Sequence, residues 1–200
     1  MADDCTKNAI SDLLHCCCLF LQVYRHSFWK FRQDHPRTRI GEPPPYGLPG
    51  FNSGVLLLDL NRMRQSSLYN SLLDATAVSQ LGDDFQFKGH LGDQDFYTLV
   101  GMRYEQLFYV LPCQWNRQLC RWWAENGYSD VFDLYHRCDG SIMVYHGNCN
   151  TPIPWAACAK SHSFTVRYID CWECCFHLQF CCGHSSFVTL TCLWIVIEIL

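Results

Sequence analysis

The chain has 200 residues, enough for one domain with a core of its own. Charged residues are 17% and aromatic residues 15% of it, a balance that excludes a disordered chain. A formal net charge of -4 without clustered Lys or Arg excludes an electrostatic nucleic-acid binder and offers no basic patch to a membrane surface.

Composition divides the chain into a cysteine-rich head (1–23), a body with ordinary globular patterning (24–154) and a tail (155–200) crowded with Cys, His, Phe and Ser. The head carries Leu13 to Val23, an apolar run broken by His15 and Gln22. It follows Asp3, Asp4 and Asp12 rather than the basic start of a signal peptide. In the tail, Phe187 to Leu200 is apolar over fourteen residues and contains Glu198, short of the roughly 20 residues a bilayer span needs.

In chain order, Tyr24 to Arg32 predicts one or two helical turns with aromatic residues on one side, ended by Pro36. Glu42 to Gly50 is a proline-stiffened connector. Val55 to Leu58 is a continuous apolar run of strand length, as a sheet covered on both faces requires. Leu60 to Leu81 has helical apolar spacing, and Asp93 opens a further helix through Phe96, Leu99 and Val100. Leu107 to Leu111 and Ile142 to Tyr145 predict strands, with a short helix near Asp130 to His136 between them. Strands alternating with helices give the α/β class.

The residues fit for chemistry lie at the mouths of these strands and helices. Phe51-Asn52-Ser53-Gly54 brings small polar residues into a buried strand, where α/β folds bind ligands. Asp93 can cap the helix it opens, which accounts for one acidic residue better than for Asp93, Gln94 and Asp95 together. Trp115-Asn116-Arg117-Gln118 lies between Cys113 and Cys120 and offers a flat ring and amides, as sugar recognition requires; Trp122 and Trp123 could extend that platform. His146 follows the strand Ile142 to Tyr145, a place where a lone His is ordinarily structural. The body's cysteines, Cys113, Cys120, Cys138 and Cys149, are spaced like half-cystines of a secretory-pathway domain; four allow three pairings, and the choice stays open. Cys171-x-x-Cys174 and Cys181-x-x-His184 have the ligand types of a small zinc module, the other reading being a tail unrelated to the body.

Phe51 to Val55, Leu91-Gly92-Asp93-Gln94-Asp95 and Val144-Tyr145-His146-Gly147, in this order and at these separations, resemble the second half of the sugar-nucleotide site of family 8 glycosyltransferases. Cys113 to Cys120 and His146 to Pro152 bring the resemblance closest to family members that transfer xylose. It implies part of a GT-A (Rossmann-like) fold, lacking most of the N-terminal nucleotide-binding half. It also implies a retaining transfer from UDP-xylose, forming an α-1,3 bond to a xylosyl-glucose on EGF repeats of Notch-type proteins in the endoplasmic reticulum, with self-association left open. Asp93 and Gln94 would then work around the anomeric carbon. Asn52, Ser53, Trp115, Asn116, Arg117 and Gln118 would contact donor or acceptor, and His146 would bind Mn²⁺.

The Asp93-x-Asp95 spelling is not the family's metal motif, which lies upstream in the nucleotide-binding half. The family often places a phosphate-touching Lys shortly after the His; here Asn148, Asn150 and Thr151 occupy that stretch, so the resemblance makes Asn148 and Asn150 substrate-binding candidates and leaves the phosphate contact to Asn150 or Thr151. No acidic Asp-x-Asp at a strand end precedes Phe51, so the resemblance implies impaired catalysis. The alternative it leaves is a non-catalytic fragment that binds EGF-repeat acceptors or the full-length enzyme. The sheet begun by Val55 would then show an uncovered edge.

Overall fold

The computed structural model describes residues 23–90 and 92–152, the side chains of Val23 and Asn150 apart, and the backbone of five short strands at 14–17, 169–170, 177–179, 189–191 and 193–194. The apolar run Val55–Leu58 forms strand β2, and the first sheet has the order β2-β1-β3, with β1 at Leu14–Cys17 and β3 at Phe108–Val110. Strand β1 runs antiparallel to β2, Leu14 opposite Leu58, and parallel to β3, Leu14 opposite Phe108. The central strand thus comes from the head that composition separates from the body. Strand β2 stays at an edge of this sheet.

A second sheet joins β4 (Arg117–Gln118), β5 (Tyr145–Gly147), β7 (His177–Gln179) and β8 (Thr189–Thr191); β6 (Ile169–Asp170) pairs with β9 (Leu193–Trp194). Strands β4 and β5 are parallel, with Gln118 opposite His146. His146 is therefore inside its strand rather than after it. From β1 to β5 the strands alternate with helices, so the α/β class holds. The cysteines and His184 proposed for zinc in the tail lie outside the described residues, as does Leu91.

The aromatic helix expected over Tyr24 to Arg32 is two short helices, α1 (Val23–Ser27) and α2 (Trp29–Asp34), the second stopping two residues before Pro36. Tyr24 and Phe28 are fully buried. The Phe28 ring meets Phe87 at 4.9 Å and Phe85 edge-on at 6.1 Å, burial that stabilises by about 2 kcal/mol per ring. The helical stretch from Leu60 also breaks, into α3 (Leu60–Gln65), α4 (Ser67–Ser71) and α5 (Ala75–Asp84). Each piece opens on a cap: Asp59 accepts from the Arg62 amide, and at the two breaks Ser66 accepts from that of Tyr69 and Asp74 from that of Thr76. Apolar spacing alone runs through such residues without registering that their side chains compete with the helix.

Helix α6 (Asp93–Arg103) carries the site's framework. Its buried face holds Gln94, Thr98, Leu99, Val100, Gly101 and Met102. The Phe51 ring packs against Gly101, where a Cβ would come within 2.2 Å of it, so only glycine admits this contact. Two small helices, α7 (Trp122–Glu125) and α8 (Phe132–His136), lie between β4 and β5 in the chain. Among the described residues the disulfides are Cys113–Cys138 and Cys120–Cys149. The segment from Cys113 to Cys120 is therefore not a loop closed on itself. Each of its ends is fastened to a different distant point. No helix of the described residues is long and apolar enough to cross a membrane.

Candidate functional site

The segment Phe51 to Gly54 leads into β2 through a turn at Ser53 and Gly54, and the amides of Phe51 and Ser53 point to one helix. Helix α6 meets those amides with residues four apart on one face. Thr98 Oγ1 accepts from the Phe51 amide at 3.0 Å, and Gln94 Oε1 accepts from the Ser53 amide at 3.0 Å. Tyr24 donates to Asp95 Oδ1 at 2.8 Å, and its hydroxyl is approached by Thr98 and Gln94 as well. Burial and the Asp95 charge push the Tyr24 phenol upward. Asp95 is thus occupied in joining α1 to α6.

Held this way, Asn52 is buried, and its Oδ1 accepts from the Gly54 amide and from Asn116 Nδ2, each at 3.0 Å. Asn116 Oδ1 in turn lies 3.0 Å from Nδ1 of His146. The imidazole is fully buried, and burial pulls it down to about 4, so it is neutral near pH 7. A Cβ on Gly54 would lie 2.5 Å from its Cε1, which makes glycine a condition of the ring's position.

Asp93 opens α6 beside Ser53. Burial raises its carboxyl above the usual carboxylate range, against the pull of the Ser53 hydroxyl and of the amides of Asp93 and Gln94. Its Oδ2 is buried without a hydrogen-bond partner among the described residues. Desolvation outweighs the helix N-terminus here, and a hydroxyl donor arriving at that oxygen would offset the cost.

The structure brings Asn52, Ser53, Asp93, Gln94, Asn116 and His146 together. Arg117, Gln118 and Asn148 are engaged by partners of their own. Asn116 ends the 3-10 turn before β4, and Arg117, the first residue of the strand, reaches α8, where its guanidinium donates to the His136 carbonyl and lies 3.3 Å from His136 Nδ1. Burial and the Arg117 and Arg121 charges push His136 down to about 4. Gln118 accepts from Asn148 Nδ2 at 2.8 Å. Asn148 Oδ1 accepts from the amides of Leu119 and Cys120, at 3.0 and 2.9 Å. Trp115 is half-buried on a single 3-10 turn, Cys113–Trp115, and Asn150 lies on the 3-10 turn after β5. Tyr24 and Thr98, which set the geometry, are missing from the site as the sequence reads it, whereas Gly54 belongs to its first segment. The spacing of Thr98 four residues after Gln94 was the available signal.

A divalent cation would find in His146 a neutral imidazole of suitable chemistry. Among the described residues, however, no group of three His, Cys, Asp or Glu side chains could hold a metal ion. The donor set is incomplete for a cation held by these residues alone, and no chemical step is routed through one.

No protein-family model matches the chain. Over 132 residues it is 64% identical to xyloside xylosyltransferase 1 of Mus musculus, and equally to that of Homo sapiens, an overlap of 66% of this chain and 34% of each relative. Glucoside xylosyltransferase 1 of Mus musculus is 34% identical over 134 residues, 56% of this chain and 31% of that protein. The crystal structure of mouse xyloside xylosyltransferase 1 in its apo form matches with a TM-score of 0.70 at 58% identity, covering 72% of this chain and 50% of that one. The chain spans about a third of the length of the curated xyloside xylosyltransferases it matches. By sequence and by fold, then, the body of this chain is a relative of the xyloside xylosyltransferases.

Proposed function

We propose that the body of this chain is the sugar-binding part of a xylosyltransferase, taking xylose from UDP-xylose and extending a xylosyl-glucose on EGF repeats of Notch-type proteins with retention of configuration. The observation that carries this reading is the half-buried Asp93 carboxylate at a helix start, whose Oδ2 is buried and unpartnered among the described residues. Gln94 and Ser53 hold it in place, so it meets a sugar hydroxyl or a developing positive charge without having to reorganise. Two disulfides support work in an oxidising compartment, which the reading assigns to the endoplasmic reticulum lumen.

Mn²⁺ enters this reading through His146 alone, with its other ligands coming from outside the described residues. That same incompleteness favours a second reading, a non-catalytic fragment that binds EGF-repeat acceptors or the full-length enzyme. The two separate in one experiment. The chain is incubated with UDP-xylose and a xylosyl-glucose acceptor, product is sought by mass spectrometry, and acceptor binding is followed in parallel by calorimetry. Product that falls by about 100-fold in Asp93→Asn supports the transferase. Binding without product supports the fragment. Neither product nor binding sinks both.

A further inference from the structure

We infer that Asn116 is a positioning residue that fixes His146 as its Nδ1–H tautomer and leaves the Nε2 lone pair as the nitrogen offered to a ligand. The polarity of each link follows from the one before it. The Gly54 peptide nitrogen can only donate, so the Asn52 atom 3.0 Å from it is the amide oxygen. That oxygen can only accept, so the Asn116 atom 3.0 Å from it is Nδ2. The remaining end of the Asn116 amide is then Oδ1, an acceptor, and it lies 3.0 Å from Nδ1 of His146. An acceptor there requires the proton on Nδ1. Turning Asn116 over would set two carbonyl oxygens against each other at the Asn52 end and a donor against Nδ1 at the other.

The chain of bonds starts from fixed backbone at both ends. Asn52 is held by the amide contacts of Phe51 with Thr98 and of Ser53 with Gln94. Asn116 precedes β4, which the Arg117 amide ties to the Val144 carbonyl at 2.9 Å and the Leu119 amide ties to the His146 carbonyl at 3.0 Å. The Cys120–Cys149 disulfide closes the same two segments from beyond. A histidine whose tautomer is set in this way can accept a hydrogen bond or ligate a cation through Nε2, and cannot donate from it. The assignment concerns only the protein's own atoms and stands independently of the transfer reading.

The test is nitrogen NMR of the full chain, labelled with ¹⁵N at histidine, near neutral pH, with the His146 signals assigned by their loss in His146→Gln. The expected spectrum has a protonated Nδ1 and an unprotonated Nε2. A proton on Nε2 overturns the inference directly. Asn116→Leu, which keeps the bulk and removes the acceptor, should shift His146 toward the Nε2–H form, and Asn116→Asp, which keeps an acceptor, should retain Nδ1–H. An unchanged tautomer in Asn116→Leu overturns the positioning role. If that variant does not fold, the wild-type and Asn116→Asp spectra decide: Nδ1–H in both supports the role, and its loss in Asn116→Asp refutes it.

Discussion

Replacing Thr98 by Val tests whether α6 holds the entry to β2. The two side chains have nearly the same shape, so the change opens no cavity and removes one hydroxyl from a fully buried position. The Phe51 amide then loses its acceptor in a buried setting, which costs about 1–3 kcal/mol; loss of the contact with the Tyr24 hydroxyl adds to the same side. Thr98→Ser keeps the acceptor and deletes one methyl, at about 1 kcal/mol. With a urea dependence of roughly 2 kcal/mol per molar, Val should lower the midpoint by about 0.5–1.5 M. Amide exchange gives the local readout: Phe51 should lose protection in Val and keep it in Ser. A Val variant as stable as wild type, with Phe51 still protected, would refute the clamp.

Gly54→Ala places a Cβ 2.5 Å from His146 Cε1 and 2.9 Å from Asn52 Oδ1, so it should destabilise by about 1–3 kcal/mol and displace the imidazole resonances; an unperturbed His146 spectrum contradicts the packing. Breaking the Cys120–Cys149 bridge with Cys120→Ser frees a loop with a sequence separation of 29 and should cost about 3.5 kcal/mol in urea unfolding; no shift in midpoint would show that the unfolded chain is not constrained by it. Burial holds the folded His146 at about 4 against 6.5, so between those values the unfolded chain binds a proton that the folded chain does not. Stability from this group is therefore intact above 6.5 and falls as pH drops toward 4, by about 3 kcal/mol at most. Urea midpoints at about pH 7 and about pH 4.5 should fall further in wild type than in His146→Gln, and equal falls would sink the assignment.

Continuous apolar runs and acidic helix starts were readable from the chain because each is decided locally. Val55–Leu58 is a strand where the run predicts one, and α6 begins at Asp93 where the acidic cluster does. Distances set across the fold were not readable. The breaks at Ser66 and Asp74 depend on side chains choosing a backbone amide over solvent, and the apolar period is blind to that choice. The pairing of Cys113 with Cys138 depends on where α8 packs, which no spacing records. The same holds for Arg117, which adjoins Asn116 in sequence but reaches α8 while Asn116 reaches Asn52 and His146. A motif treated as one recognition loop is divided where it enters β4 into a site residue and a structural one.

Amide side chains are where sequence and site diverge most, because an Asn or Gln suited to a sugar hydroxyl is equally suited to a stray backbone amide. What separates the uses is which atoms are already engaged. Asn148 accepts from two backbone amides and donates to Gln118. Turning it toward a substrate would strand the Cys120 amide in the interior and leave Leu119 short of a bond, at about 1–3 kcal/mol for each group. A sugar hydroxyl returns about 1 kcal/mol net per bond, so that exchange is unfavourable. Asp93 presents the opposite balance. Its Oδ2 is already desolvated and lacks a partner among the described residues, so a hydroxyl that reaches it gains a charge-assisted bond without breaking one. Recognition in this half of the site should therefore fall on the carboxylate, with the surrounding amides serving to keep it where it is.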